Sequence, residues 1–322
     1  MCVQKALTRI LRTTLSMAVA LCWISSSSMA QSDAPDGNGS IRGRFGESDI
    51  VITTTSRLAG AIHSLTWNGK EFIDSTDHGR QLQSASNFDA DSAFSSETFN
   101  PTEAGSLHDG AGDRSTSRLL HYLAKDNQLQ TTSRMAFWLR PGELSAGQPA
   151  KNTTELSDHL LTKRVTIGYR DLPNVISYDV TFGVPIGESH QYAQFEALTG
   201  YMPTEFRRFV VFDPGSGQFE PLSNGPGEQK HPVALSTDDG NFAMGIYAPA
   251  QPSKGFENVG YGRWNFSPQH VVKWNCVFRI RDADGIAAAD YSYRMFVTVG
   301  TLEDVRLAMI RLHSANAGQS PK

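Results

Sequence analysis

From about residue 50 onward, apolar and polar positions alternate along the chain with a period of two. That alternation marks strands with one face on a core and one face away from it. It predicts strands at 50–54, 61–67, 80–85, 115–123, 129–138, 159–169, 175–184, 192–201, 209–212, 233–237, 242–247, 271–281 and 291–299. Asn68-Gly69, the run Asp171 to Asn174, Asp213-Pro214-Gly215 and Asp239-Gly240 supply turn chemistry between them. One helix is expected, and it comes last. Thr301 and Asp304 form a capping-box pattern, and Leu302, Val305, Met309 and Leu312 follow on one helical face. Long strands on short turns, with no helices between them, give the fold class: all-β, a large antiparallel β-supersandwich with one C-terminal helix.

The ends of the chain read differently. Lys5, Arg9 and Arg12 precede an apolar run at 15–24, and Ser28-Met29-Ala30 offers small residues for cleavage. The run is too short to span a bilayer, so residues 1–30 read as a signal peptide and the protein as secreted or periplasmic. Residues 31–44 are expected to be a flexible leader, 45–316 a single domain and 317–322 a tail. The formal charge is −4, and more acidic without the three basic residues of the signal peptide. That balance argues against nucleic acid or an anionic membrane as a partner. Cys2 and Cys22 leave with the signal peptide, so Cys276 stands alone in an apolar strand, with no disulfide and no thiolate site expected.

Polar chemistry concentrates in a few stretches. Residues 73–110 contain Asp77, His78, Arg80, Gln81, Gln83, Asn100, Glu103, His108 and Asp109. Their planar or forked hydrogen-bonding groups suit sugar hydroxyls. The Arg80 fork also suits a carboxylate, or an ion pair with Asp77 or Glu103. His108 and Asp109 are neighbours and point apart in a strand, so neither a metal nor any other cofactor is expected. A second group comprises His190, Glu196 and Tyr201. A Glu inside an apolar strand is expected to have a raised pKa, suited to acid–base work, and Glu196 and Thr199 fall on opposite faces of a regular strand. Glu228 and His231 flank a stiff Gly-Pro-Gly turn and form a possible acid–base pair. Trp264, after an expected turn at Gly260-Tyr261-Gly262, is the foremost stacking candidate among Trp138, Trp264, Trp274 and Tyr261.

The run Gly60-Ala61-Ile62-His63-Ser64-Leu65-Thr66-Trp67-Asn68-Gly69-Lys70-Glu71-Phe72-Ile73, the step Gly79-Arg80, and the paired strands around Val165–Tyr169 and Val175–Phe182 resemble galactose-mutarotase-like proteins over roughly residues 45–300. The resemblance implies a β-supersandwich and a carbohydrate ligand. In the epimerases of that family an early Arg binds sugar, and Arg80 holds that place. The family's His after the paired strands and its Glu on a late strand have no counterpart in Gln194–Tyr201 or 242–247, although His190 lies just upstream. These departures argue against plain anomeric epimerisation. The expectation is an exported carbohydrate-active protein that binds a sugar or polysaccharide and cleaves or isomerises it by acid–base chemistry. The catalytic groups would be Glu196, Glu228, His190 and His231. Asp77, His78, Arg80, Gln81, Asn100, Glu103, His108, Tyr201 and Trp264 would bind substrate. The alternative is a non-catalytic binding module of the same fold.

Overall fold

A computed structural model describes residues 35–316. The expected signal peptide at 1–30 and tail at 317–322 lie outside them. The longer strands are β1 (Gly39–Phe45), β2 (Ser48–Thr54), β3 (Ile62–Trp67), β4 (Leu82–Phe88), β5 (Arg118–Lys125), β6 (Gln128–Phe137), β7 (Leu156–Tyr169), β8 (Leu172–Gly183), β9 (Tyr192–Pro203), β10 (Arg208–Asp213), β11 (Val233–Ser236), β12 (Ala243–Tyr247), β13 (Phe256–Phe266), β14 (Val271–Arg281) and β15 (Asp290–Gly300), followed by helix α1 (Leu302–Asn316).

Antiparallel pairing runs β1-β2-β3-β4-β9-β14-β13 in one layer. In the other layer it runs β5-β6-β7-β8-β15-β12-β11-β10. The two-residue strand Pro101–Thr102 pairs with β4 on one side and β6 on the other, which joins the layers at one edge. Most of the buried apolar side chains, from Ile41 to Val299, form one cluster between the layers. β7 shows how the alternation builds it: Leu161, Val165 and Ile167 are buried, while Leu160, Thr162 and Arg164 point away.

Three residues on that buried face are polar: Ser157, His159 and Lys163. Lys163 Nζ pairs with Glu103 Oε1, and both side chains are sealed from solvent. The other carboxylate oxygen, Oε2, accepts the Ser84 backbone N–H at 3.1 Å. Glu103 is therefore part of the interior, where its expected contact with a ligand is not possible. A buried carboxylate without its partner is costly, which makes the pair mutually obligatory.

The last helix packs on the outer face of the second layer. Val305 and Met309 meet Val210, Phe212, Ala234 and Ala243, and Ala308 and Leu312 meet Leu172, Val175, Tyr247 and Phe296. A Cβ on Gly245 would lie 2.4 Å from Met309 Cε, so this glycine lets the helix approach the sheet. The capping box is present: Asp304 N–H donates to Thr301 Oγ1 at 3.1 Å, and Thr301 N–H donates to Asp304 Oδ2 at 2.9 Å. The helix runs to Asn316.

Three expectations need correction. β1 lies in the supposed leader and pairs with β2 along its whole length. β4 begins at Leu82 and runs to Phe88, three residues beyond the expected end. β13 is an 11-residue strand where Gly260-Tyr261-Gly262 suggests a turn. A Cβ at Gly262 would meet the Trp264 ring at 2.3 Å, and one at Gly260 would meet the Glu228 carboxylate at 2.4 Å. These glycines allow side chains to lie flat on the strand.

Two stability outcomes follow from this packing. Lys163→Met should destabilise the protein by about 3–5 kcal/mol in urea denaturation, and Lys163→Met combined with Glu103→Gln should recover most of the loss. Met309→Ala should cost roughly 2–5 kcal/mol in the same measurement, with the sheet signal in far-UV circular dichroism retained below the transition.

Candidate functional site

The face of the first layer turned away from the core carries a cavity of about 350 Å³. Its floor is β4 and β9. Gln83, Ala85 and Asn87 come from alternate positions of β4, and Gln194, Glu196, Thr199 and Tyr201 from β9. β13 adds Trp264 and Phe266, and β14 adds Lys273. Trp138, Asn100 and Glu97 close the other side.

On a regular β9, Glu196 and Thr199 point in opposite directions. Here a β-bulge brings them to one face. Glu196 pairs with Val277 and Leu198 with Cys276, so Ala197 is an extra residue opposite β14. On the β4 side Glu196 faces Ala85 and Thr199 faces Gln83, which leaves Ala197 and Leu198 opposite Ser84 alone. The Ser84 hydroxyl donates to the Ala197 carbonyl at 2.8 Å. The Thr199 hydroxyl then donates to Glu196 Oε2 at 2.8 Å across the bulge. Bulges of this kind re-aim side chains next to functional sites.

The centre of the cavity is an ion pair, Lys273 Nζ to Glu196 Oε2, at 3.5 Å. The same ammonium lies 4.9 Å from the Trp264 ring centroid and 5.1 Å from that of Tyr201. Burial alone would raise the Glu196 pKa, but the Lys273 charge and the Thr199 hydrogen bond more than reverse this, so it is lowered. The raised value expected for a Glu in an apolar strand is therefore corrected. Burial alone would lower the Lys273 pKa, and the Glu196 carboxylate and Tyr201 instead raise it. Both groups stay charged across neutrality.

The remaining lining is uncharged apart from Glu97. Gln83 donates from Nε2 to the Gly79 carbonyl at 3.0 Å, while its buried Oε1 has no partner among the described residues. Asn100 donates to the Ser86 carbonyl at 2.6 Å, Asn87 accepts the Glu97 N–H at 2.9 Å, and Gln194 donates to the Tyr192 hydroxyl at 2.9 Å. The amide planes are thereby fixed while each keeps hydrogen-bonding capacity. Trp138 lies against Gly79, where a Cβ would approach within 2.8 Å of the indole.

Of the residues expected to act, the structure brings Glu196, Tyr201, Trp264 and Asn100 together here. The others are engaged elsewhere. Arg80 pairs with Asp77 at 3.1 Å and Asp74 at 3.9 Å, and donates to the Gln269 carbonyl. Asp77 also accepts the Gly79 N–H, and Gln81 is buried with its amide on the Asp77 carbonyl. His78 is buried between the carbonyls of Gly110 and Arg57, at 2.7 and 2.8 Å. His108 pairs with Glu143. Glu228 is held bidentate by Arg279, at 3.0 and 2.7 Å. His231 is exposed, and His190 lies in a buried cluster with His159 and Glu188. Gln83 and Trp138, singled out in the sequence by their side-chain chemistry, also line the cavity, whereas Asn87, Gln194, Thr199, Phe266 and Lys273 were not among the expected site residues. Asn87, four residues after Gln83 and therefore on the same face of the strand, was the available signal for one of them.

A larger depression of about 750 Å³ lies near Lys70, Glu205, Arg207 and Asp238. Most of its charges are paired: Lys70 pairs with Glu205 at 3.0 Å and Arg207 with Asp238, while the Asp239 carboxylate accepts from Thr237 and Asn241. It offers no comparable set of converging groups.

No protein-family model matches the sequence, and no curated protein does. Solved structures of similar fold include a galactose mutarotase-like protein from Lactobacillus casei, at 10% identity over 81% of this chain and 100% of that one, TM-score 0.42. Others are an alpha-galactosidase from Lactobacillus brevis, at 10% identity over 82% and 40% of the two chains, TM-score 0.43, and a heparan sulfate lyase from Pedobacter heparinus, at 9% identity over 83% and 36%, TM-score 0.43.

The ion pair sets a pH dependence for stability. Glu196, with its lowered pKa, contributes stability above the ordinary carboxylate range that is lost as pH falls through its folded value. Lys273, with its raised pKa, contributes stability below the ordinary lysine range that is lost as pH rises through its folded value. The difference in unfolding free energy between the protein and its Glu196→Gln variant should stay constant between about pH 6 and 9 and shrink below about pH 4. Urea melts across pH measure it.

Proposed function

We propose that this is an exported carbohydrate-binding protein whose ligand site is the cavity around Glu196 and Lys273. One observation carries this reading: amide side chains, aromatic faces and one ion pair converge on a single solvent-accessible concavity. Amides and a fixed carboxylate suit the donor and acceptor pattern of sugar hydroxyls, and indole faces suit the apolar side of a pyranose ring. The buried Gln83 Oε1, with no partner among the described residues, is positioned to accept from a ligand hydroxyl. The leader-like N-terminus supports export.

Binding is favoured over acid–base turnover because neither member of the central pair changes protonation near neutrality. The groups expected to act with Glu196, namely Glu228, His190 and His231, are absent from the cavity lining. One observation favours a catalytic version instead. Tyr201 lies beside the Lys273 ammonium, an arrangement suited to proton abstraction next to a uronate carboxylate.

Calorimetric titration against neutral and uronate-containing oligosaccharides tests the site. Trp264→Ala and Gln83→Ala should each weaken binding at least about tenfold, near the 1.4 kcal/mol expected for a stacking ring or a buried hydrogen bond. Glu228→Gln and His231→Ala should leave binding unchanged. Equal binding by Trp264→Ala, Gln83→Ala and the parent protein would place the ligand elsewhere. New double-bond absorbance on a uronate polymer, abolished by Tyr201→Phe, would replace the binding reading with the eliminating one.

A further inference from the structure

On the core side of β4 and β9, opposite the cavity, two imidazoles and a carboxylate converge. His159 comes from β7, Glu188 from the loop between β8 and β9, and His190 from the residues just before β9. His159 Nε2 and His190 Nε2 lie 2.7 and 2.9 Å from the same oxygen, Glu188 Oε2. Both imidazoles are almost fully buried, whereas the Glu188 side chain is 22% exposed. The cluster is therefore closed toward the core and open on the carboxylate side. Phe88 covers it from within, with ring centroids 4.5 Å from His190 and 5.0 Å from His159, and Phe99 lies 5.4 Å from His190.

From this geometry we infer a binding site for one divalent transition-metal ion of the zinc class, with His159 Nε2, His190 Nε2 and the Glu188 carboxylate as ligands. Imidazole and carboxylate ligands sit about 2.0–2.2 Å from such an ion, which keeps donor atoms roughly 3.3 Å apart. The three donor atoms already lie within 4.8 Å of one another. Accommodating the ion takes a shift of about half an ångström in the Glu188 carboxylate, which belongs to a loop with solvent on one side. Two nitrogens and one oxygen, with a position open toward solvent, suit zinc, cobalt or iron better than calcium or magnesium.

The outer groups fit as well. His190 Nδ1 is buried without a hydrogen-bond partner, and Asp89 Oδ1 is the nearest carboxylate oxygen, at 3.6 Å. A ring that gives Nε2 to a metal carries its proton on Nδ1, and a neighbouring carboxylate is the usual acceptor. Asp89 is held in place by the Gln191 N–H, at 3.2 and 3.1 Å. A metal here would tie the β8–β9 loop to β7 and fix the start of β9, the strand that carries Gln194 and Glu196.

The test uses purified protein stripped with dipicolinate and then dialysed against zinc or cobalt. The protein should retain one equivalent of zinc by mass spectrometry and show cobalt d–d absorption in the visible. Its melting temperature should rise with zinc concentration. Glu188→Gln, on the exposed side, should fold with an unchanged far-UV spectrum yet bind at least tenfold more weakly and lose the thermal shift. His190→Gln should behave the same way where it folds. Retention of less than a tenth of an equivalent by the parent protein would overturn the proposal, leaving a hydrogen-bonded His–Glu–His cluster. Undiminished uptake by Glu188→Gln would overturn it too.

Discussion

The buried pair of Lys163 and Glu103 is the interaction on which the rest of the structure depends. Lys163 belongs to one layer, and Glu103 follows the short strand that joins the two. Its second oxygen accepts the backbone N–H of Ser84 in the other layer. An ion pair in an apolar core tolerates little displacement, because loss of either partner leaves a charge without solvent or counterion. It therefore specifies how the layers register at that edge. Ser84 carries the constraint onward. Its hydroxyl holds the carbonyl of Ala197, the extra residue in β9, and that bulge turns Glu196 and Thr199 to the same face. The outer cavity is thus positioned from inside the protein.

The cavity itself is electrostatically settled. Glu196 and Lys273 satisfy each other, with Thr199, Tyr201 and Trp264 around them, so neither is poised to exchange a proton near neutrality. The surrounding amides are half engaged: each is anchored to the backbone or to a neighbouring side chain and keeps a donor or acceptor free. Such a surface is preorganised for recognition, because little side-chain entropy remains to be lost on binding.

Strand existence was largely legible from the period-two pattern, as was the C-terminal helix with its Thr301–Asp304 cap. What misled were residues whose usual meaning is local. Gly260 and Gly262 read as a turn, but they stand in a strand because Glu228 and Trp264 lie across them. Arg80, His78 and Gln81 read as ligand contacts, but they hold backbone carbonyls and acidic neighbours around Asp77. Polar residues dense in sequence are often dense because a loop needs its backbone groups satisfied. Among the candidate site residues, Glu196, Tyr201, Trp264 and Asn100 were readable from type and position. Lys273 was not, because a single lysine in an apolar strand gives no sign of its partner on β9, which is far away in sequence.

The sequence by itself determined the all-β class, the approximate strands, the closing helix and an acidic, cysteine-poor chain. Each of these depends on alternation or composition over neighbouring residues, which is local information. Only the tertiary structure decided which polar side chains meet. One inserted residue at Ala197 reverses the face of everything after it in β9, and the Glu196–Lys273 and Glu103–Lys163 contacts join segments far apart in the chain, while the His159–Glu188–His190 cluster ties β7 to the β8–β9 loop. Neither a bulge nor a long-range pairing leaves a periodic trace, so these groupings come into being only when the two layers close on each other.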